Sequence, residues 1–312
     1  MARPLRIEYP GAFYHVTSRG NEQKDVFKSQ RDREKFLEYL ESATERYGAV
    51  FHAYCLMSNH YHLLLETPAG NLSQIMRHIN GAYTTYFNIK RKRSGHLFQG
   101  RYKAILVEFD EYAMELTRYI HLNPVRVGMV TRPEEYRWSS YKNYIGQTTA
   151  PTWLKIETTL DYFGKKKKEA MYKYRSFVED LLGKEYDSPF QNTFGTAVLG
   201  TAEFIEMVTS EHLSDRGVDR AVPGIRQFKS NPEPEEILKA VAVVMGENEK
   251  LARQMGMYLC HKYSGKKLRE IGILFGVGET AIAEARRLLS RKLEKDKQLC
   301  KEVEKVKAIL AI

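Results

Sequence analysis

Two histidines one residue apart, His60 and His62, are the part of this 312-residue sequence best suited to hold a metal ion. They fall in the segment HYHLLLE, whose composition predicts a β-strand. Side chains alternate between the faces of a strand, so both imidazoles project to one face with Cα atoms about 6.5 to 7 Å apart. That spacing suits two ligands of one divalent cation. Two ordinary histidines without a ligand role are the alternative interpretation.

A second pair, Tyr119 and Asn123, lies in a segment with helical spacing. Residues four apart are neighbours on one face of a helix, with about 5 to 6 Å between their Cβ atoms. An asparagine oxygen can complete the shell of a hard cation, and a tyrosine oxygen beside that cation can attack a phosphodiester. The alternative is that Tyr119 is a core contact and that Asn123 helps to end the helix before Pro124.

The elements that must position these residues alternate between strand-like and helical segments. Strand composition is found at residues 13–19, 50–57, 60–66 and 103–109, and Ser58-Asn59 predicts a hairpin between the second and third. Helices are predicted over residues 29–46, 71–89 and 110–123, the last ending before Pro124. The order β-α-β-β-α-β-α predicts an α+β fold, a ferredoxin-like antiparallel sheet with helices on one face, in a first domain of residues 1–146.

The rest of the chain changes in character after Gly146. Residues 147–234 have linker-like ends and turn-forming stretches, which predict a helical or irregular connector without an identifiable function. Residues 235–312 predict helices at 235–245, 249–263, 267–275 and 279–293. The last two are separated by Gly276-Val277-Gly278, as in a helix-turn-helix domain that binds DNA. A plain helical hairpin with a solvated basic face is the alternative.

The composition favours a polyanionic partner. Lys and Arg number 49 against 39 for Asp and Glu, a net charge of +10. No apolar run is long enough to span a membrane and no secretory signal is present, so a soluble, cytoplasmic protein is expected. The three cysteines form no CxxC pair, which argues against disulfides and a cysteine zinc site. There is no GxxxxGK[ST] phosphate loop, hence no sign of a nucleotide cofactor.

Basic and aromatic residues alternate near the centre of the first domain, a make-up typical of sites for single-stranded nucleic acid. The predicted DNA contacts are Lys90, Arg91, Lys92, Arg93, Arg101 and Lys103, near the rings of Phe98 and Tyr102. A solvated helix end is the alternative for the first four. Arg19 and Arg126 are further candidates for contact with the DNA backbone. The remaining histidines considered, His15, His52, His96 and His121, are expected to be structural or superficial.

Three segments together resemble the single-tyrosine HUH transposases, and most closely the REP-associated tyrosine transposases. They are CLMSNHYHLLLETP (Cys55–Pro68), SGHLFQGRYKAILVE (Ser94–Glu108) and RYIHLNPVRVGMV (Arg118–Val130). The resemblance covers about residues 5–145. It implies that His60, His62 and Asn123 bind Mg²⁺ or Mn²⁺ and that Tyr119 cuts single-stranded DNA. Asn123 stands where the insertion-sequence branch usually has Gln.

The C-terminal segment Ala252–Leu289 resembles the DNA-binding domain of the replication initiator DnaA, through RQMGMYL and REIGILFG. Glu279-Thr280-Ala281 replaces the basic, His-containing start of the initiator's recognition helix. A duplex sequence other than the initiator's box is therefore expected. The residues predicted to contact duplex DNA are Thr280, Arg286 and Arg287.

The leading hypothesis is a transposase: a metal-dependent endonuclease and strand transferase that forms a 5′-phosphotyrosine intermediate at hairpin-forming repeats of single-stranded DNA. One alternative is a DNA-binding regulator that derives from a transposase and lacks catalysis. Another is hydrolysis by metal-bound water without a covalent adduct. The sequence leaves open the repeat that is recognised, the choice between Mg²⁺ and Mn²⁺, and whether the protein is a monomer or a homodimer.

Overall fold

The computed structural model describes residues 7–194, 197–213, 232–246, 248–264, 266–293 and 296–310. The chain divides into two compact units, Met1–Ile225 and Arg226–Ile312. No helix within the described ranges is both long and apolar enough to cross a membrane.

The first unit is built on a mixed β-sheet. Its strands within the described residues are β1 (Ala12–Arg19), β2 (Val50–Leu56), β3 (His60–Thr67), β4 (Lys103–Val107) and β5 (Val198–Leu199). They lie in the order β2-β3-β1-β4-β5. The first four pair antiparallel and include the predicted hairpin, whereas β5 joins β4 in parallel. The α+β class is confirmed, but the sheet is not purely antiparallel, because the two-residue strand β5 was too short to show a pattern.

Helices cover both faces of this sheet. The helices of the first unit within the described residues are α1 (Gln30–Tyr47), α2 (Leu72–Lys90), α3 (Phe109–Arg126), α4 (Tyr141–Tyr144), α5 (Glu157–Leu160), α6 (Lys167–Glu179) and α7 (Ala202–His212). On one face, Tyr61 of β3 packs against Phe36 of α1 and donates to Asn80 of α2. On the other, Leu64 belongs to a cluster with Leu116 of α3. The prediction of helices on one face was wrong, because β3 is apolar on both faces and both need cover.

Helix α3 continues one turn past its predicted end, to Arg126, with Pro124 inside it. Proline lacks the N–H that would bond to the carbonyl oxygen of Ile120, so the helix loses one hydrogen bond near its C-terminal end. The side chain of Asn123 donates to the carbonyl oxygen of Tyr119 at 2.9 Å, within the same turn. The helix begins after Glu108 rather than at Asp110, and the Glu108 carboxylate accepts from the backbone of Thr201 at 2.6 Å.

The described part of the predicted connector packs on the first unit. The ring of Trp153 contacts Phe51 and Tyr54 of β2. Tyr174 of α6 is buried and its hydroxyl lies 2.6 Å from Nδ1 of His121. The predicted boundary at residue 146 therefore falls inside a compact unit, and residues 214–231 of the connector lie outside the described residues.

The second unit consists of helices and short connections within its described residues. Its helices are α8 (Pro234–Met245), α9 (Glu249–Tyr263), α10 (Leu268–Phe275), α11 (Glu279–Leu293) and α12 (Lys297–Ile309). Gly276 ends α10 with a φ of 65°, and a Cβ on Gly272 would lie 2.6 Å from the carbonyl oxygen of Val277. These two glycines allow the three-residue turn to fold tightly against α10. Helix α12 was not predicted, although it buries Leu299, Val303 and Val306 at helical spacing.

A buried carboxylate, Asp32, ties α1 to the end of α2. It lies 2.6 Å from Nζ of Lys90 and 2.7 Å from Nη2 of Arg91, and it accepts from the backbone of Lys28. Burial alone would raise the pKa of Asp32, but the hydrogen bonds from the two cations outweigh burial and lower the pKa to about 2. The ion pairs of Asp32 with Lys90 and Arg91 therefore join α1 to the C-terminal end of α2.

We expect Asp32→Asn to lower the free energy of unfolding by about 2 kcal/mol near neutral pH, because Lys90 and Arg91 lose their anion. Folding lowers the pKa of Asp32 from 3.8 to about 2. The contribution is therefore complete above the higher pKa and is lost as the pH falls through the lower one. Urea unfolding of wild type and variant should show a difference that shrinks in acid.

Glu38→Gln is the matched control, since Glu38 lies on the same helix and pairs with Arg31 at 2.8 Å in solvent. Exposed pairs contribute little, so this change should cost less than about 0.5 kcal/mol. Equal losses in the two variants would contradict the structural role of Asp32.

Candidate active site

The pairing of β1 with β3 positions the two histidines of the HxH segment. His60 lies opposite Arg19 and His62 lies opposite Thr17, at the start of β3. Their ring centroids are 5.0 Å apart. Both project to the face that α3 covers, and the His62 ring meets the edge of the Tyr119 ring at 5.8 Å between centroids. The structure thus brings together His60, His62 and Tyr119.

In both histidines, Nδ1 takes part in a hydrogen bond, and Nε2 is the ring nitrogen that remains. Nδ1 of His60 lies 2.7 Å from Oδ1 of Asn59, and Nδ1 of His62 lies 3.0 Å from Nε2 of His15. Nε2 of His62 is buried and has no hydrogen-bond partner within the described chain. A buried nitrogen without a partner calls for an explanation, and a bound cation provides one.

The protonation states suit metal binding. Burial lowers the pKa of His60, and the positive charge of Arg19 lowers it further. Burial lowers the pKa of His62 well below its ordinary value, with added effects from His15, His60 and Arg126. Both imidazoles are therefore neutral near neutral pH, which is the state that a metal ligand requires.

Helix α3 supplies the tyrosine and the asparagine. Tyr119 is half-buried, and Asn123 follows one turn later and is buried. Because the Asn123 amide nitrogen donates to the Tyr119 carbonyl group, its Oδ1 is left as the remaining acceptor. The described residues contain no group of three or more His, Cys, Asp or Glu side chains suited to a metal. Two imidazoles and an amide oxygen are not a group of that kind, and both kinds of donor are ones that divalent cations accept.

Three further side chains surround Tyr119. The guanidinium carbon of Arg126 lies 5.0 Å from the Tyr119 ring centroid and 5.1 Å from that of Tyr186. Phe190 meets the Tyr119 ring edge-on at 5.1 Å and stacks on His15 at 4.5 Å. Arg126 has no carboxylate partner among the described residues. Sequence reasoning proposed Arg126 only as a backbone contact and missed Tyr186 and Phe190, because their region lacks a periodic pattern.

The predicted basic cluster is divided by the structure. Lys90 and Arg91 are bound to Asp32, whereas Lys92, Arg93, Arg101 and Lys103 are exposed. Phe98 and Tyr102 were expected beside the bases, but both rings are buried. Phe98 packs against Tyr61 and Tyr83, in the core between the sheet and α2, so it is unavailable for stacking on a base.

The histidines not proposed as ligands differ in their surroundings. His121 is buried with Nδ1 at 2.6 Å from the Tyr174 hydroxyl and Nε2 at 2.7 Å from the Ser140 hydroxyl, a structural role. His15 lies inside the site, in contact with His62 and with the edge of the Tyr119 ring. Nothing in the spacing of the sequence indicates this position for His15.

In the second unit, the side chains of Thr280, Arg286 and Arg287 are all exposed on α11. Thr280 and Arg287 are seven residues apart and share one face of the helix. Arg286 lies about 100° around the helix from Arg287. Nη2 of Arg287 is also bonded to Oε1 of Glu284 at 2.7 Å.

Comparison with known proteins shows a likeness within the first unit. Residues 9–123 match the family described as "Transposase IS200 like". None of the curated proteins matches the chain. A solved REP-associated tyrosine transposase bound to a REP hairpin is similar over 50% of this chain and 92% of its own, with 16% identity and a TM-score of 0.41. A protein from Deinococcus radiodurans R1 that carries a transposase assignment is similar over 36% of this chain and 93% of its own, with 17% identity and a TM-score of 0.28.

Both structural likenesses are too weak to add to the sequence match. The match covers the strand β3, which carries His60 and His62, and extends along α3 as far as Asn123. Residues 9–123, a little over a third of the chain, are thus similar to the IS200-like transposase family.

Proposed function

We propose that the first unit is a metal-dependent endonuclease and strand transferase for single-stranded DNA, with Tyr119 as its nucleophile. The observation that carries the proposal is the half-buried Tyr119 ring beside two neutral imidazoles, one of which has a buried nitrogen without a partner. His60, His62 and Asn123 would hold Mg²⁺ or Mn²⁺. That cation, when bound, acts as a Lewis acid on the scissile phosphate.

The chemistry assigned to Tyr119 is transesterification. Its hydroxyl oxygen forms a bond to phosphorus while the bond from phosphorus to the 3′ oxygen breaks. The tyrosine proton is released to solvent and the departing oxygen takes up a proton, so the products are a 5′-phosphotyrosine and a free 3′-OH. The energy of the phosphodiester is kept in the adduct, and another 3′-OH can attack it to rejoin the strand without an external energy source.

Arg126 supplies a cation beside the nucleophile. Its guanidinium group lies against the rings of Tyr119 and Tyr186 and has no carboxylate partner in the described part of the chain. An arginine without a counter-ion is suited to bind phosphate oxygens in a fixed orientation. We assign it to the scissile phosphate, and the exposed Lys92, Arg93, Arg101 and Lys103 to the flanking backbone.

The substrate proposed is a hairpin formed by repeated sequences in single-stranded DNA. This choice rests on the resemblance of the three sequence segments to REP-associated tyrosine transposases. Exposed cations at the end of α2 and at the start of β4 are compatible with it.

We further propose that α10 and α11 form a helix-turn-helix that binds duplex DNA. The three-residue turn, the tight packing at Gly272 and the exposed Thr280 and Arg287 on one face of α11 support this assignment. The second unit would then add affinity for duplex DNA next to the cleaved strand.

Tyr119→Phe is expected to abolish the covalent adduct while DNA binding stays close to that of wild type, because only the attacking oxygen is removed. The full chain is incubated with end-labelled hairpin oligonucleotides from its own genomic neighbourhood, with Mn²⁺ or with a chelator, and analysed on denaturing gels. Tyr112→Phe is the matched control, since Tyr112 lies seven residues earlier on the same helix and should keep activity.

The other outcomes of this experiment separate the alternatives. An adduct in the Tyr119→Phe protein would exclude Tyr119 as nucleophile. Metal-dependent nicks without an adduct in wild type would indicate attack by metal-bound water. A mobility shift on native gels with neither nick nor adduct would favour a non-catalytic regulator.

His60→Ala and His62→Ala should each weaken Mn²⁺ binding by about tenfold or more, because each removes a proposed ligand. Asn123→Ala should also weaken it. Calorimetric titration of the DNA-free protein measures the affinity without relying on activity. His96→Ala is the control, since His96 is exposed and is not a proposed ligand. Unchanged affinity in the His60 and His62 variants would remove the proposed metal site.

Arg287→Ala should weaken binding to duplex DNA about tenfold and reduce the slope of affinity against salt by about one phosphate contact. Fluorescence anisotropy over a series of salt concentrations measures both quantities. Lys301→Ala is the control, because Lys301 is an exposed cation on α12, outside the proposed recognition helix. Equal effects of the two changes would point to diffuse attraction by charge instead of a specific helix.

A further inference from the structure

His15 belongs to the candidate site without being one of its proposed ligands. It lies on β1, on the same face of the sheet as His62, because His62 is paired with Thr17, two residues further along the strand. Its side chain is buried, and Phe190 stacks on its ring at 4.5 Å. Its Nε2 is directed at Nδ1 of His62 at 3.0 Å, so this nitrogen is not free for a metal.

The hydrogen bond between His15 and His62 allows two arrangements of protons. The two ring nitrogens are 3.0 Å apart, so one of them carries the proton of this hydrogen bond and the other carries the lone pair, and a neutral imidazole has one proton to place. If His15 donates, the proton of His62 lies on Nε2. If His62 donates, its proton lies on Nδ1 and Nε2 carries a lone pair.

The burial of His62 Nε2 distinguishes these arrangements. This atom has no hydrogen-bond partner in the described part of the chain. A proton there would be a buried N–H without an acceptor, which native structures tolerate less well than an acceptor that lacks a donor. The arrangement in which His62 donates to His15 is therefore favoured, and it leaves the lone pair that a cation needs.

The other proposed ligand, His60, also has an acceptor beside its Nδ1, but that acceptor is an amide oxygen instead of a ring nitrogen. Nδ2 of Asn59 donates to the carbonyl oxygen of Gln23 at 3.1 Å, which orients the amide and directs its Oδ1 at Nδ1 of His60. A carbonyl oxygen can only accept, so the proton of His60 lies on Nδ1. Both proposed ligands then offer Nε2.

We propose that His15 is a positioning residue: as a hydrogen-bond acceptor it holds His62 in the Nδ1–H tautomer and presents Nε2 to the cation. Phe190 holds the ring of His15 in the orientation that this bond requires. The inference rests on the proposed function, because it needs a cation at His62. Acceptors of this kind behind a metal ligand typically change metal affinity by about 10- to 100-fold.

Two variants and two measurements test the role of His15. His15→Phe keeps an aromatic ring beside Phe190 but removes the acceptor, whereas His15→Gln restores an acceptor oxygen. Long-range ¹H–¹⁵N spectra of the metal-free full chain report the tautomer of His62, with its signals identified from a His62→Gln protein. Calorimetry with Mn²⁺ gives the affinity, and urea unfolding verifies that each variant is folded.

We expect His62 to be the Nδ1–H tautomer in wild type and in His15→Gln, and to shift toward Nε2–H in His15→Phe. The Mn²⁺ dissociation constant should rise about 10- to 100-fold in His15→Phe and return to within about threefold of wild type in His15→Gln. An Nε2–H tautomer in the wild type would overturn the proposal. So would equal losses of affinity in the two variants, which would indicate a packing role alone.

The experiment also separates this inference from the proposed function. A wild-type protein that does not bind Mn²⁺ contradicts the proposed metal site itself. A wild-type protein that binds Mn²⁺, together with a His15→Phe protein that binds it equally well, contradicts only the role of His15.

Discussion

The antiparallel pairing of β1 with β3 determines where most of the candidate site lies. Its register sets Thr17 opposite His62 and places His15, His60 and His62 on the face covered by α3. Because side chains alternate along a strand, a slip of one residue in β3 would turn both of its histidines toward α1 and α2. Burial on both faces resists that slip, since Tyr61 is bonded to Asn80 on one face and Leu64 packs under α3 on the other.

Much of this arrangement could be predicted from the sequence, because it follows from how often side chains return to the same face of a strand or a helix. The period of two in a strand predicts that His60 and His62 share a face, and the period of the helix places Asn123 one turn after Tyr119. The strands β1 to β4 and the helices α1 and α2 lie close to their predicted bounds. That two histidines of β3 would meet a tyrosine of α3 was implied only by the resemblance to a family.

The missing parts of the prediction depend on contacts between residues far apart in the chain. His15 meets His62 across 47 positions, and no local pattern distinguishes it from another buried histidine. The same holds for Phe190 against Tyr119 and for β5 against β4. The net charge of the chain also could not predict which cations are available to bind DNA. Lys90 and Arg91 neutralise a buried carboxylate. Arg126 instead lies against aromatic rings and has no counter-ion among the described residues.

The contact of Phe190 and Tyr186 with the site has a consequence for how the chain can be divided. The family match ends at residue 123, yet these rings come from more than sixty residues later and pack on Tyr119, His15 and Arg126. The segment that matches the family therefore ends well before the segment that packs together as one folded unit. A fragment cut after α3 would keep every residue of the family match but expose Tyr119 and lose the strand β5 at the edge of the sheet, so a fragment that keeps the surroundings of Tyr119 extends at least through β5.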